Sequence, residues 1–152
     1  MGVQSGPDEK KLGLYGSSTT VLMLDNVPVP VENVLGTIGE GHKVAFNILN
    51  LGRVKLGTRN SAGIRLALNQ SIAYARERQS FGKAIIEHQA VAFRLADMAT
   101  QIEAARQLVW HAASLRDAGE PCLKEASMAK LFASEMAERV CSDAIQIHGG
   151  YG

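Results

Sequence analysis

Aromatic residues make up only 5% of this chain of 152 residues, and nowhere do about 18 apolar residues follow one another. The second absence excludes a membrane-spanning helix. Charge of one sign is missing as well. A formal net charge of +1 provides no field to draw in nucleic acid or an anionic lipid surface. Cysteine is scarce: Cys122 and Cys141 stand far apart with no CxxC spacing, so neither a zinc site nor a dithiol redox motif is indicated. Two free thiols in a reducing compartment are expected, with a disulfide as the alternative. The opening MGVQSGPDEKK is polar and lacks the apolar core of a signal peptide. Residues 1–16 read as the interior of a domain entered abruptly. The expected compartment is the cytosol or an organelle matrix. The rest is an ordinary globular composition, 46% hydrophobic and 20% charged, with length enough for one domain and a core.

The composition changes near residue 40. Before it, Gly, Pro, Ser and Asp alternate with short β-type runs, and TTVLMLDNVPVP predicts a strand at Thr20–Leu24 with a turn at Asp25–Asn26. Pro28 and Pro30 confine the next residues to an edge or extended segment, because proline cannot donate to a ladder. Two or three strands are too few for an independent sheet. After GEGHK the chain shows three helical patterns. The first is expected over His42–Arg76, with Val44, Ile48, Leu51, Ile64, Leu68, Ile72 and Ala75 on its apolar side. The second, Glu87–Asp117, carries Val91, Leu95, Met98, Ile102, Ala105, Val109 and Ala112 at alternating spacings of four and three, a heptad seam. Gly119 and Pro121 stop it. The third, Cys122–His148, has Ala126, Ala129, Ala133, Met136 and Val140 in a stripe whose small residues imply close helix approach. Long helices with short links pack antiparallel, and three of them leave a bundle open for a fourth. The first helix is unusual in containing Gly52, Gly57 and Gly63, each costing ~1 kcal/mol relative to alanine. Close packing of another helix and close passage of a ligand both account for them.

Two clusters carry candidate chemistry. RQSFGKAIIEHQ, Arg78 to Gln89, joins the first two helices and holds a guanidinium fork, the Ser80 hydroxyl and the Gln89 amide near exposed helix N–H groups, a set suited to phosphate. A solvated pair of Arg78 with Glu77 or Glu87 is the competing reading. QIHGGYG, Gln146 to Gly152, places Gly149 where a helix-stopping glycine belongs, yet three glycines in four residues exceed what a stop requires and open the backbone to a ligand. No strand precedes it, so it is not a Rossmann fingerprint. His42, His88, His111 and His148 show no metal-ligand spacing. Glu103, Glu125, Glu135 and Glu138 read as solvated helix-face pairs with neighbours such as Arg106 and Arg139.

In order and separation, ARERQSFGKAIIEHQAVAFRLADMA, DAIQIHGGYG and VPVPVENVLGTIGEGHKVAFNILNLGR resemble segments of the acyl-CoA dehydrogenase family, over essentially the whole chain. The resemblance implies a mainly α fold, an antiparallel up-down helical bundle of the family's C-terminal type at 41–152, incomplete at its end. Residues 1–40 would be the closing part of the middle β-domain. It implies an FAD-dependent oxidoreductase of fatty acid metabolism that converts an acyl-CoA thioester to the trans-2-enoyl-CoA. A glutamate takes the α-proton, FAD takes the β-hydride, and an electron-transferring flavoprotein takes the electrons.

By the same resemblance Arg78, Gln79, Ser80, Phe81, His88 and Gln89, with Gln146, Ile147, His148, Gly149 and Gly150, touch the pyrophosphate and adenosine part of the FAD of a neighbouring subunit. Asn50, Leu51, Gly52 and Arg53 lie along the acyl-CoA, Arg53 near its reacting end. No catalytic residue is nominated. Most members carry the glutamate downstream of the QIHGGYG-like segment, and where a minority place it on the first helix, this chain has Gly52. A fragment inactive by itself is the expectation, from a homo-oligomeric parent, dimer or tetramer. The parent would be cytoplasmic in a bacterium or in the mitochondrial matrix of a eukaryote. The alternative is a noncatalytic helical module that oligomerises through the open bundle face.

Overall fold

The computed structural model describes residues 2–152, which form two compact units, one ending at Val44 and the other running from Ala45 to Gly152. In the first, strand β1 (Gly2–Ser5) pairs antiparallel with β2 (Leu22–Asp25), Val3 opposite Leu24 and Gln4 opposite Met23. The strand expected at Thr20–Leu24 is therefore shifted toward Asp25. Its start is set by a side chain: the Thr20 hydroxyl donates to the Gly6 carbonyl at 2.6 Å, so that carbonyl takes a hydroxyl where a further ladder would offer an amide. At the far end Asn26 turns to φ 45° and breaks the extended run. After Pro28 and Pro30 the chain forms only a single 3-10 turn at Val31–Asn33.

The helices obey the periodicity. They are α1 (Gly41–Glu77), α2 (Gln89–Asp117) and α3 (Leu123–His148), each within one or two residues of its expected ends. Their mutual direction can be read from contacts. The start of the buried stretch of α1, at Val54, joins one core cluster with Val109 and Ala112 late in α2 and Ala126 and Ala129 early in α3. Ile64, Leu68 and Ala75 of α1 join the other with Leu95 to Ala105 and Ala133 to Ile147. Thus α2 runs against α1 and α3, an up-down-up arrangement. Fully buried Met98 and Met136 each contribute ~1.5–3 kcal/mol by leaving water.

The buried stripes of α2 and α3 are those expected, except that Val91 is only half-buried. That of α1 differs. Ile48 is 66% exposed, and Val44, Leu51 and Ile72 are half-buried. Burial begins at Val54 because that is the level reached by the last buried residue of α2, Ala112, and the first of α3, Ala126; α1, at 37 residues against 29 and 26, overhangs them. Farther along, the seam passes through Gly57, Ser61 and Ser71 rather than larger apolar residues. Serine fits there because its hydroxyl folds back onto its own helix: Ser61 donates to Gly57 O at 2.9 Å and Ser71 to Ala67 O at 2.8 Å.

Gly57 decides between the two readings of the α1 glycines at its own position. A Cβ there would stand 2.9 Å from Val109 Cγ2 and 3.7 Å from Ala129 O, so it is the place where three helices close in. Gly52 and Gly63 face open space. On the surface, Arg94 pairs with Asp143 across α2 and α3 at 3.2 Å. Arg106 pairs with Glu103 at 3.2 Å and lies 4.1 Å over the Trp110 ring. Glu125, Glu135 and Glu138 form no such pair among the described residues. Both cysteines are free, and no described helix is long and apolar enough to cross a membrane.

Candidate functional site

The link between α1 and α2 is a small β-hairpin rather than a plain turn. Strand β3 (Gln79–Ser80) pairs with β4 (Lys83–Ala84), closed below by the Ile85 amide donating to Arg78 O at 2.8 Å. Its two loop residues, Phe81 and Gly82, have φ of 53° and 80°, both positive as a type I′ turn demands. The sequence hid this hairpin because phenylalanine stands where asparagine is usual and each strand has two residues. Ile85 and Ile86 then pack on the core and anchor the corner.

Polar groups at this corner divide into committed and uncommitted. His88 Nε2 lies 3.1 Å from Ser80 O; a carbonyl only accepts, so Nε2 carries the hydrogen. The Phe81 ring, 94% exposed, stands edge-on to His88 at 6.2 Å. Lys83 Nζ donates to Glu87 O at 3.2 Å, and the Glu87 carboxylate accepts the Ala84 amide at 3.3 Å. The pair expected as the alternative, Arg78 with Glu77 or Glu87, is not formed. The Arg78 guanidinium, the Ser80 hydroxyl and the Gln79 and Gln89 amides have no hydrogen-bond partner among the described residues. Helix α2 begins at Gln89 without a side-chain cap; the Val91 and Ala92 amides already donate to His88 O at 2.9 and 3.0 Å, which leaves the Gln89 and Ala90 N–H groups unbonded among the described residues at the helix start.

At the end of α3, Gly149 takes φ 59°, ψ −124°, a conformation that disfavours any side chain. A short 3-10 turn covers Gly149–Tyr151. Cβ atoms added at Gly149 or Gly150 would meet nothing within 4 Å, so Gly150 is required neither by φ nor by packing and leaves bare backbone at the surface. Gln146 is exposed, whereas Ile147 is buried in the core, which removes its side chain from any ligand. His148 donates from Nδ1 to Ala144 O at 2.8 Å and stacks on the Tyr74 ring at 4.7 Å, 25° between planes. Tyr74 O in turn accepts the Arg78 amide at 2.8 Å. The two clusters, 57 residues or more apart in sequence by their ends at Gln89 and Gln146, therefore meet at one end of the bundle. Tyr74 is the functional candidate that sequence reasoning missed; its signal was one helical turn of separation from Arg78.

On α1, Arg53 donates to Asn50 Oδ1. Leu49, Gly52, Arg53, Leu56 and Lys130 border a cavity of about 220 Å³. Leu51 is half-buried and Gly52 exposed, so a chain of atoms could pass over bare backbone beside the guanidinium. No acid faces that cavity, and no described cluster of three or more His, Cys, Asp or Glu could hold a metal.

Residues 39–152 match the family model described as acyl-CoA dehydrogenase, C-terminal domain. The chain belongs to the acyl-CoA dehydrogenase family. It is 49% identical over 151 residues to an acyl-CoA dehydrogenase of Bacillus subtilis, covering 99% of this chain and 40% of that protein. The human short-chain specific acyl-CoA dehydrogenase, a mitochondrial protein, is 42% identical over 99% of the chain and 37% of its own length. The structure superposes on butyryl-CoA dehydrogenase from Megasphaera elsdenii with TM-score 0.93 at 41% identity, over 99% of this chain and 39% of that one. The chain thus spans about two fifths of these relatives. Its bundle is that of the family's C-terminal helical domain. An acyl-CoA dehydrogenase from Bacillus anthracis, 37% identical with TM-score 0.88 over 99% of this chain and 29% of its own, is a complex with FAD. The uncommitted donors fit that cofactor: a guanidinium, a hydroxyl, two carboxamides and the Gln89 and Ala90 N–H groups suit the anionic pyrophosphate of a dinucleotide.

Proposed function

We propose that this chain forms part of an FAD-dependent acyl-CoA dehydrogenase that oxidises an acyl-CoA thioester to the trans-2-enoyl-CoA. Residues 1–40 close its middle β-domain and 41–152 belong to its helical bundle. Arg78 and Gln89 bind the pyrophosphate, while Gln79, Ser80, Phe81 and His88 line the same corner. Gln146, His148, Gly149 and Gly150, with the Ile147 backbone, approach the adenosine side. The FAD concerned is held mostly by a neighbouring subunit, in a homodimer or homotetramer. Asn50, Leu51, Gly52 and Arg53 lie along the acyl-CoA, with Arg53 oriented by Asn50.

Bound FAD supplies acceptance of the β-hydrogen as hydride. The α-proton goes to a glutamate outside these residues, since Gly52 offers no carboxylate beside Arg53 and no acid borders that cavity, and the chain alone is inactive. An electron-transferring flavoprotein is the proposed electron acceptor; a caffeyl-CoA reductase–Etf complex subunit of Acetobacterium woodii is 46% identical to this chain. The compartment depends on the source, cytoplasm in bacteria and mitochondrial matrix in eukaryotes.

The observation that carries the reading is the Arg78 guanidinium left without a partner beside an uncapped helix start. Titration of FAD by flavin fluorescence tests it, with Arg78→Ala and Gln89→Ala beside the wild type. A lost charge-assisted bond is worth ~1.5–3 kcal/mol, so Arg78→Ala should weaken binding roughly tenfold or more with unfolding unchanged. Equal affinity of all three proteins, or binding by none even in the full-length parent enzyme, refutes the site. In the latter case the exposed Phe93, Trp110 and Leu131 favour the noncatalytic oligomerisation module instead.

A further inference from the structure

We propose that Tyr74 is a positioning residue: it locks the glycine turn after α3 to the Arg78 hairpin, and so sets the distance between the two groups of donors that hold one dinucleotide. The proposal rests on the FAD reading above for what the donors hold, and on geometry alone for the lock. Tyr74 reaches both clusters. Its carbonyl accepts the Arg78 amide at 2.8 Å, the last i→i−4 backbone bond of α1, so its ring stands one helical turn before the hairpin. Its ring stacks on His148 at 4.7 Å and lies 6.4 Å from the Tyr151 ring, tilted by 57°. His148 is also held by the bond from Nδ1 to Ala144 O, so the stack relates the position of α1 to the residue that enters the turn at Gly149.

The two glycines that open the turn add no packing of their own. Gly149 and Gly150 face open space, and the 3-10 turn is closed internally, by the Gly152 amide donating to Gly149 O at 3.1 Å. The Tyr74 hydroxyl has no hydrogen-bond partner among the described residues. The ring, not the hydroxyl, is therefore what the position requires, and phenylalanine should replace it.

The test compares wild type, Tyr74→Phe, Tyr74→Leu and Arg78→Ala in two measurements. NMR of the His148 ring protons reads the stack, which shifts them upfield. FAD titration reads the spacing of donors. Thermal unfolding confirms that each variant is folded, and Tyr74→Met, which keeps length and core contact, stands in should Tyr74→Leu not fold. The expected result is that Tyr74→Leu moves the His148 signals downfield and weakens FAD binding roughly three- to tenfold, the equivalent of one aromatic pair. Tyr74→Phe should preserve both. Unmoved His148 signals in Tyr74→Leu overturn the lock. Moved signals with unchanged FAD affinity, while Arg78→Ala binds weakly, overturn its role in spacing. Should neither the wild type nor any variant bind FAD, in the full-length parent enzyme as well, while the His148 signals still respond, the cofactor reading fails and the lock remains only a packing contact, which overturns the positioning role.

Discussion

Alanine substituted for each glycine of α1 separates helix propensity from packing. At Gly63 the added methyl meets nothing within 4 Å, so the substitution should stabilise by ~1 kcal/mol through backbone entropy and propensity alone. At Gly57 the same methyl would stand 2.9 Å from Val109 Cγ2, well inside the ~3.5–4.0 Å of an ordinary carbon contact. Val109 cannot swing clear, because a β-branched residue in a helix is held near one χ1 rotamer. The backbones must part instead, at ~1–3 kcal/mol. Set against the same propensity gain, Gly57→Ala should lose ~1 kcal/mol net, some ~2 kcal/mol below Gly63→Ala. Urea denaturation of both variants reads the difference. Val109→Ala completes a cycle. Alone it should cost ~2 kcal/mol for the methyls and the space left behind. Combined with Gly57→Ala it should cost less than the two separate losses summed, by more than ~1 kcal/mol, since the new methyl fills vacated space. If Gly57→Ala stabilises as much as Gly63→Ala, or the two changes add without coupling, the close three-helix approach at Gly57 is refuted.

Ser71 is fully buried yet bonded only within its own helix, so Ser71→Ala should stay within ~1 kcal/mol of wild type in the same assay; a larger loss would mean the hydroxyl serves another partner. The Arg94–Asp143 pair lies with side chains 40% and 35% exposed, and a double-mutant cycle should give ~0.2–1 kcal/mol that fades in roughly 1 M salt. A coupling insensitive to salt would contradict that exposure. Phe81→Asn should relieve the positive φ of 53° and slow amide exchange in the hairpin, while Gly82→Ala should do the opposite and cost ~1 kcal/mol. Faster exchange in Phe81→Asn would show that its ring on His88 matters more than its backbone.

Element type and extent were legible because burial repeats along a chain with the period of the element. Leu95 to Ala112 and Ala126 to Val140 are apolar at every core position, so α2 and α3 were placed with their buried faces. Helix α1 was legible as a helix but not as a seam. Serine and glycine carry no hydropathy signal, and Ser61, Ser71 and Gly57 lie in the core for reasons a sequence does not display: a hydroxyl bonded to its own helix's carbonyl and an approach too close for a methyl. The stripe through Ile48 failed for the opposite reason, since apolar character continues where α2 and α3 no longer reach. Likewise the hairpin at Gln79–Ala84 lay below the length at which alternation can be seen.

By itself, then, the sequence determined three long helices, their stops and the two polar clusters whose order and separation resembled one family. Those stem from local periodicity and residue chemistry, which act over a turn or two of chain. Only the tertiary structure decided which side chains were left uncommitted and which clusters meet. Among the described residues Arg78 pairs with neither Glu77 nor Glu87, whose carboxylate accepts the Ala84 amide instead, and Gln146 to Gly150 joins the hairpin's end of the bundle because α1 and α3 run parallel and Tyr74 meets His148. Such facts depend on contacts between residues distant in sequence, and no local pattern encodes them.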